Sequence, residues 1–135
     1  HVHCSVVMPG HIGTSIVENS SKVLGRPWGM ELPDEEVAVV RRRMLSAGLP
    51  VGNVPDDHIR QMLVDRAEAF RTQAPTTAAA AAKVILDAVR NKQWRVLVGQ
   101  DARDLDHLIR EAPEEAYEKS MIEKINALNH LGALI

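Results

Sequence analysis

A short loop near residue 10 carries the residues best suited to ligand binding. Residues 9–14 read Pro-Gly-His-Ile-Gly-Thr and follow a β-branched apolar run, Val2–Met8, which predicts a strand buried on both faces. Pro9 has no N–H to donate and is expected to end the strand, while Gly10 tolerates backbone angles closed to other residues. Because open α/β sheets bind ligands at the carboxyl ends of their strands, this loop is a candidate binding site. The Thr14 hydroxyl can donate and accept hydrogen bonds there, or it can cap the helix that follows.

Two histidines and a cysteine just before this loop suggest metal binding. His1 and His3 share one face of the predicted strand, and Cys4 lies beside them. Three such residues fall short of a full site, and no second pair follows at metal-ligand spacing, so no metal is predicted. Cys4 is expected to be buried and inert. His11 could touch a substrate, or it could be a half-exposed loop residue.

The loop and the segments after it resemble one enzyme family. Val7–Thr14 is similar to the Pro-Gly-x-Ile-x-Thr stretch that follows the sixth strand in short-chain dehydrogenases/reductases. Pro75–Lys92 resembles the last crossover helix of that family with its lead-in, and Trp94–Gly99 resembles its seventh strand. Asp101–Tyr117 is similar to the C-terminal tail of many bacterial members, whereas residues 15–74 match weakly.

The resemblance implies a role for each matched loop residue. Ile12 would meet the nicotinamide carboxamide through its main chain and Thr14 through its hydroxyl, while Pro9 and Gly10 would shape the loop beneath the ring. The intact protein would then use NAD or NADP to move hydride between the nicotinamide and an alcohol or carbonyl of a small-molecule substrate. The choice between NAD and NADP stays open, since it depends on residues near the second strand of the cofactor half.

Two motifs of that family are missing from the 135 residues. No Gly-x-x-x-Gly-x-Gly turn, which would hold the pyrophosphate at a helix N-terminus, occurs among the eight glycines. The only tyrosine, Tyr117, is followed four residues later by Met121 and not by the lysine that would lower its pKa, so it is predicted to pack in the tail. We therefore expect an upstream dinucleotide-binding half of the same protein as partner. This segment alone should be inactive, with no catalytic residue and no tight cofactor binding.

Residues 15–74 predict a helical insert. Pro33-Asp-Glu-Glu and Pro55-Asp-Asp are typical helix beginnings, because proline suits the first turn and acidic side chains face the positive helix end. The resemblance implies that the insert covers the substrate, with Trp28, Met30 and Met44 lining an apolar pocket. Alternatively, these side chains bury one helix on the other.

The pattern as a whole predicts an α/β fold. It resembles the C-terminal part of a Rossmann-type doubly wound fold, with two parallel strands at about 2–8 and 94–98 and five or six helices. Its segments are listed in chain order: strand and loop 1–14, substrate-cover insert 15–74, crossover helix and last strand 75–99, and helical tail 100–135. The alternative is a non-catalytic helical module for interaction or oligomerisation, with the stripe from Tyr117 to Leu131 as its contact face.

Composition excludes several function classes. Hydrophobic residues make up 45% and charged residues 25%, which are globular values. The net charge is −2 without a basic stripe, so nucleic-acid binding is not expected. No apolar stretch approaches the ~20 residues that span a bilayer, so no membrane partner is expected. One cysteine cannot form an internal disulfide, which fits a cytoplasmic protein, and a homo-oligomer is one option.

Overall fold

Ten regular elements follow one another along residues 2–127, the part of the chain that this computed structural model describes. The strands are β1 Val6–Pro9, β2 Ile12–Gly13, β3 Thr76–Thr77 and β4 Arg95–Val98. The helices are α1 Ile16–Val23, α2 Asp34–Ser46, α3 Asp56–Thr72, α4 Ala78–Arg90, α5 Gln100–Glu111 and α6 Lys119–Ala127. Short 3₁₀ turns lie at Gly29–Glu31 and Pro113–Glu115. The described chain is therefore α/β, and it divides into two units: Ser15–Arg71, and the described residues on either side of it.

Strands β1 and β4 form a parallel pair, as the sequence predicted. Val6 lies opposite Arg95, and Pro9 lies opposite Val98. The predicted strand bounds were wrong in detail, because residues 2–5 lie outside the ladder and Trp94 precedes β4. The prediction of a strand buried on both faces was also wrong, since Val6 is 53% exposed. Cys4, expected to be buried, is exposed.

Pro9 is part of β1, whereas it was expected to end the strand. The Val6 N–H donates to the Trp94 carbonyl and the Gly10 N–H donates to the Val98 carbonyl. Backbone groups of alternate residues point to opposite sides of a strand, so the Pro9 nitrogen faces away from β4. A proline costs no ladder hydrogen bond at that edge. The strand therefore continues to the residue before the glycine.

A second, smaller parallel pair continues the chain beyond β1. Ile12 lies opposite Thr76, and Gly13 lies opposite Thr77. Strands of two residues are too short to produce a periodic pattern, so they were not predicted from the sequence. This pairing ties the candidate loop to the beginning of α4.

The core of this unit lies between the β1–β4 sheet and α4. Val96 and Val98 of β4 pack with Ala81 and Ala88 of α4, and all four are buried. The small alanines let the helix approach the sheet closely. Thr77 caps α4, because its hydroxyl accepts a hydrogen bond from the Ala80 N–H at 3.2 Å.

The tail differs from its prediction. In the sequence, Pro113-Glu-Glu predicts the beginning of the last helix, but a 3₁₀ turn forms there and α6 begins at Lys119. Tyr117 was expected to pack; it lies before α6 and is fully exposed. Met121 is buried at 1% exposure, so the predicted stripe does not form one contact face. Its last members, Leu128 and Leu131, lie outside the described residues.

The unit Ser15–Arg71 has its own core between α2 and α3. Leu32, Val37 and Ile59 are buried there, and the half-buried side chains packed against them include Met44. Arg60 is 7% exposed; its Nε donates to the Leu32 carbonyl at 2.8 Å and its guanidinium contacts Asp34 at 2.5 Å. The hydrogen bond to Asp34 raises the pKa of Arg60. Because Met44 packs against this core, it buries α2 on α3, as the second of the two alternatives for Met44 predicted.

Candidate functional site

The candidate loop leaves the sheet at the carboxyl ends of β1 and β4. Its first anchor is the backbone hydrogen bond from the Gly10 N–H to the Val98 carbonyl, 2.9 Å long. Its second anchor is a hydrogen bond from the His11 N–H to the Asp101 carboxylate. His11 is 2% exposed, so the expectation of a half-exposed residue was wrong. A ligand outside the loop could therefore contact very little of His11.

Asp101 is the residue that sequence reasoning missed. The sequence indicates Asp101 as the cap of a short helix, but Gly99 holds the cap position and Asp101 lies in the first turn of α5. It is also 1% exposed, and its Oδ1 has no hydrogen-bond partner within residues 2–127. A buried carboxylate is costly unless hydrogen bonds compensate it. The detectable signal was a Gly-x-Asp sequence placed directly after β4, at the same sheet edge as the loop.

Two glycines make room for this carboxylate. A Cβ at Gly10 would overlap the Asp101 carboxyl group, and so would a Cβ at Gly99. Gly99 also has a φ of +102°, which L side chains rarely adopt, and its Cβ would lie 3.2 Å from the Thr76 hydroxyl. Backbone at this position is therefore packed directly on a buried carboxyl group, with no side chain between them.

Ile12 and Thr14 occupy the far side of the loop. Ile12 in β2 packs against the core cluster of Val96 and Val98. Thr14 is half-buried, and the N-cap of the next helix is Ser15, so the capping alternative for Thr14 was wrong. Its hydroxyl is thus not committed to a helix end. Pro9, Gly10, Ile12 and Thr14 all lie within one short segment fixed by both small sheets.

Trp28 and Met30 line one pocket within the unit Ser15–Arg71. The pocket has a volume of about 340 Å³ and is lined from 15–18, 28–31 and 64–71; we call it the Trp28 pocket. Gly29 between the two side chains is buried with a φ of +62°, and a Cβ there would lie 2.9 Å from a Val64 methyl group. The 3₁₀ turn therefore packs closely against α3, and this contact fixes the positions of Trp28 and Met30.

The charges of the Trp28 pocket are mostly negative. Three carboxylates line it, Glu18, Glu31 and Glu68, against one guanidinium, Arg71. Arg71 forms a bidentate pair with Glu68, at 3.0 Å from Nε and 2.6 Å from the terminal nitrogen. This pair raises the pKa of Arg71 and lowers the pKa of Glu68. Both groups therefore stay charged at neutral pH.

Within 2–127, no three His, Cys, Asp or Glu side chains are grouped as metal ligands, and His1 of the sequence cluster lies outside that range. None of the described helices is both long and apolar enough to cross a bilayer.

Comparison of the chain with protein-family models, with curated proteins and with solved structures returns no match.

Proposed function

We propose that this chain is the C-terminal segment of an NAD- or NADP-dependent oxidoreductase of the short-chain type. The single observation that supports it most is the parallel pairing of β1 with β4, with the Pro-Gly loop leaving at their carboxyl ends. In doubly wound folds this is the edge where a nucleotide lies. The Rossmann-type sheet would then extend beyond these two strands, into residues of the upstream half.

The loop residues fit the ring end of a nicotinamide cofactor. Thr14 offers a hydroxyl that caps no helix, and Ile12 belongs to main chain held extended by β3. These two would hold the carboxamide, with Pro9 and Gly10 beneath the ring. The cofactor, when bound, would carry the hydride to or from an alcohol or carbonyl. Asp101 and His11 would keep the loop in place without touching the reacting atoms.

This chain lacks the residues that would bind the diphosphate of the cofactor. Its 135 residues do not include the Gly-rich sequence that binds pyrophosphate, and no lysine follows Tyr117 at the catalytic spacing. Both would come from the upstream dinucleotide-binding half. We also propose a cytoplasmic location, because Cys4 is exposed and a reducing compartment would protect its thiol from oxidation.

The test uses the coding sequence upstream of residue 1. An in-frame Gly-rich turn and a Tyr-x-x-x-Lys pair are expected there, and the extended protein should bind NADH or NADPH, followed by the emission of the reduced nicotinamide. Thr14→Ala should weaken that binding about tenfold, because a buried hydrogen bond to the carboxamide is lost. Glu114→Ala, at an exposed position far along the chain from the loop, is the control. An upstream sequence with neither motif would contradict the proposal.

A second candidate, an interaction module, has one observation in its favour. Helix α4 carries an exposed apolar stripe at helical spacing, Ala79, Ala82, Leu86 and Val89, of which Leu86 and Val89 are each 55% exposed. Self-association of the chain at micromolar concentration, abolished by Leu86→Glu, would support this candidate. A monomer by light scattering would reject it.

A further inference from the structure

We propose that the Trp28 pocket binds a small organic cation, an amine or quaternary ammonium with an apolar body. Its volume of about 340 Å³ is that of a small-molecule site. Apolar contacts come from Val17, Met30 and Val64, and Trp28 supplies an aromatic surface. Indole rings attract cations through the negative face of the ring.

The charges of the pocket select against anions. The Arg71 guanidinium, the one cation of the lining, already binds both carboxylate oxygens of Glu68. A ligand carboxylate or phosphate would have to compete with Glu68 for it, and it would also face the other two carboxylates. Anionic ligands are therefore disfavoured by geometry and by charge.

Glu31 is the carboxylate best placed to receive a ligand cation. Glu18 forms an ion pair with Lys22 at 2.6 Å, so part of its charge is compensated. Glu31 has no ion-pair partner among residues 2–127 and stands next to Met30 in the 3₁₀ turn. A ligand ammonium between Glu31 and Trp28 would meet a charge and an aromatic ring together.

The binding claim does not depend on the proposed redox function. Only the interpretation of the cation as a substrate rests on that function, and it would make the substrate an amino alcohol or amino carbonyl compound. Failure of cation binding would leave nicotinamide binding by the loop untouched, so the two proposals fail separately.

The experiment uses the full chain with Trp94→Phe, which leaves Trp28 as the only tryptophan. Trp94 is 70% exposed, so this background should fold, as far-UV circular dichroism will verify. The probes are 2-phenylethylammonium and its isosteric anion 3-phenylpropanoate, titrated at constant ionic strength while Trp28 emission is followed. We expect saturable binding of the cation, about tenfold tighter than that of the anion.

Glu31→Gln is the deciding variant, because it removes the charge and keeps the shape at an exposed position. It should weaken cation binding about threefold, the size expected for a solvent-exposed charge pair. Glu114→Gln, an exposed glutamate of the other unit, should leave the affinity unchanged. Equal affinity for the two probes, no saturable signal, or equal effects of the two variants would overturn the proposal.

Discussion

The candidate loop and the Trp28 pocket are built from different parts of the polypeptide. In the loop, backbone lies directly on a buried carboxylate, and Gly10 and Gly99 leave no space for a side chain. In the Trp28 pocket, long side chains such as Met30 and Arg71 form the walls. The first arrangement fixes one geometry and tolerates few substitutions, whereas the second can change its specificity by exchange of side chains. The proposed ligands match this difference: a cofactor, which is constant, is proposed for the loop, and a small organic cation for the pocket.

Gly99→Ala should have the largest effect on stability. The alanine would combine a strained φ of +102° with overlap of its Cβ and the Asp101 carboxylate. We expect a loss of about 4 kcal/mol, the sum of backbone strain and overpacking. Urea unfolding followed by Trp94 emission in a Trp28→Phe background measures it. Gly48→Ala, also at positive φ but with nothing within 4 Å, should lose only about 1 kcal/mol in a Trp94→Phe background. Equal losses would show that the packing around Asp101 is unimportant.

Asp101→Ala should cost about 2–3 kcal/mol, because it leaves the buried His11 N–H without its acceptor and opens a void. Asp101→Asn keeps an acceptor oxygen and should cost about 1 kcal/mol. The same urea experiment compares them, with the exposed Glu114→Ala as a control near zero. If Asn were as damaging as Ala, an acceptor oxygen for the His11 N–H would not account for the contribution of Asp101 to stability.

Gly29→Ala tests the pocket in the same way. The substitution strains a φ of +62° and brings a Cβ to 2.9 Å from a Val64 methyl group, which can move. We expect a loss of about 2 kcal/mol and a change in Trp28 emission as the 3₁₀ turn lifts from α3. Gly25→Ala shares the φ of +62° with nothing within 4 Å, so it isolates the backbone strain. A Gly29 variant no worse than the Gly25 variant would mean that the turn is not held by Val64.

The smallest effect concerns the ion pair between β4 and α5. The Arg95 guanidinium, helped by Arg110, lowers the pKa of Asp106. A lowered pKa in the folded state adds stability that is complete above the unfolded value near 4 and is lost as the pH falls through the folded value. Thermal melts of Asp106→Asn should therefore lie below wild type by a constant interval above about pH 4. That interval should close at lower pH; a gap that widens in acid would contradict the assignment.

Local signals predicted much of the helical structure. Helices α2 and α3 begin close to where proline and acidic residues predicted them, because capping and dipole effects act within one turn. The parallel pairing of β1 and β4 was also predicted, because two strand-like runs separated by a crossover helix imply a parallel connection. The extent of β1 did not, since the tolerance of Pro9 depends on which edge its nitrogen faces.

The candidate loop needed tertiary information. His11 and Asp101 are 90 residues apart, and the Gly-x-Asp sequence after β4 indicates only a shared sheet edge and not the hydrogen bond between them. The two-residue strands β2 and β3 form where the fold brings the segment after β1 next to the segment before α4. Tyr117 was misassigned because the helix was expected to start at Pro113 and begins six residues later.

The central claim is that the Pro9–Thr14 loop receives the ring end of a nicotinamide cofactor and that this chain holds no site for the diphosphate. The most direct measurement titrates the ¹⁵N-labelled chain with nicotinamide riboside and, separately, with ADP-ribose, and follows the backbone amide resonances. The account predicts that nicotinamide riboside shifts the amides of Ile12, Gly13 and Thr14 at millimolar concentration, while ADP-ribose leaves them in place. Shifts caused by ADP-ribose alone, or shifts by nicotinamide riboside confined to other residues, would contradict it.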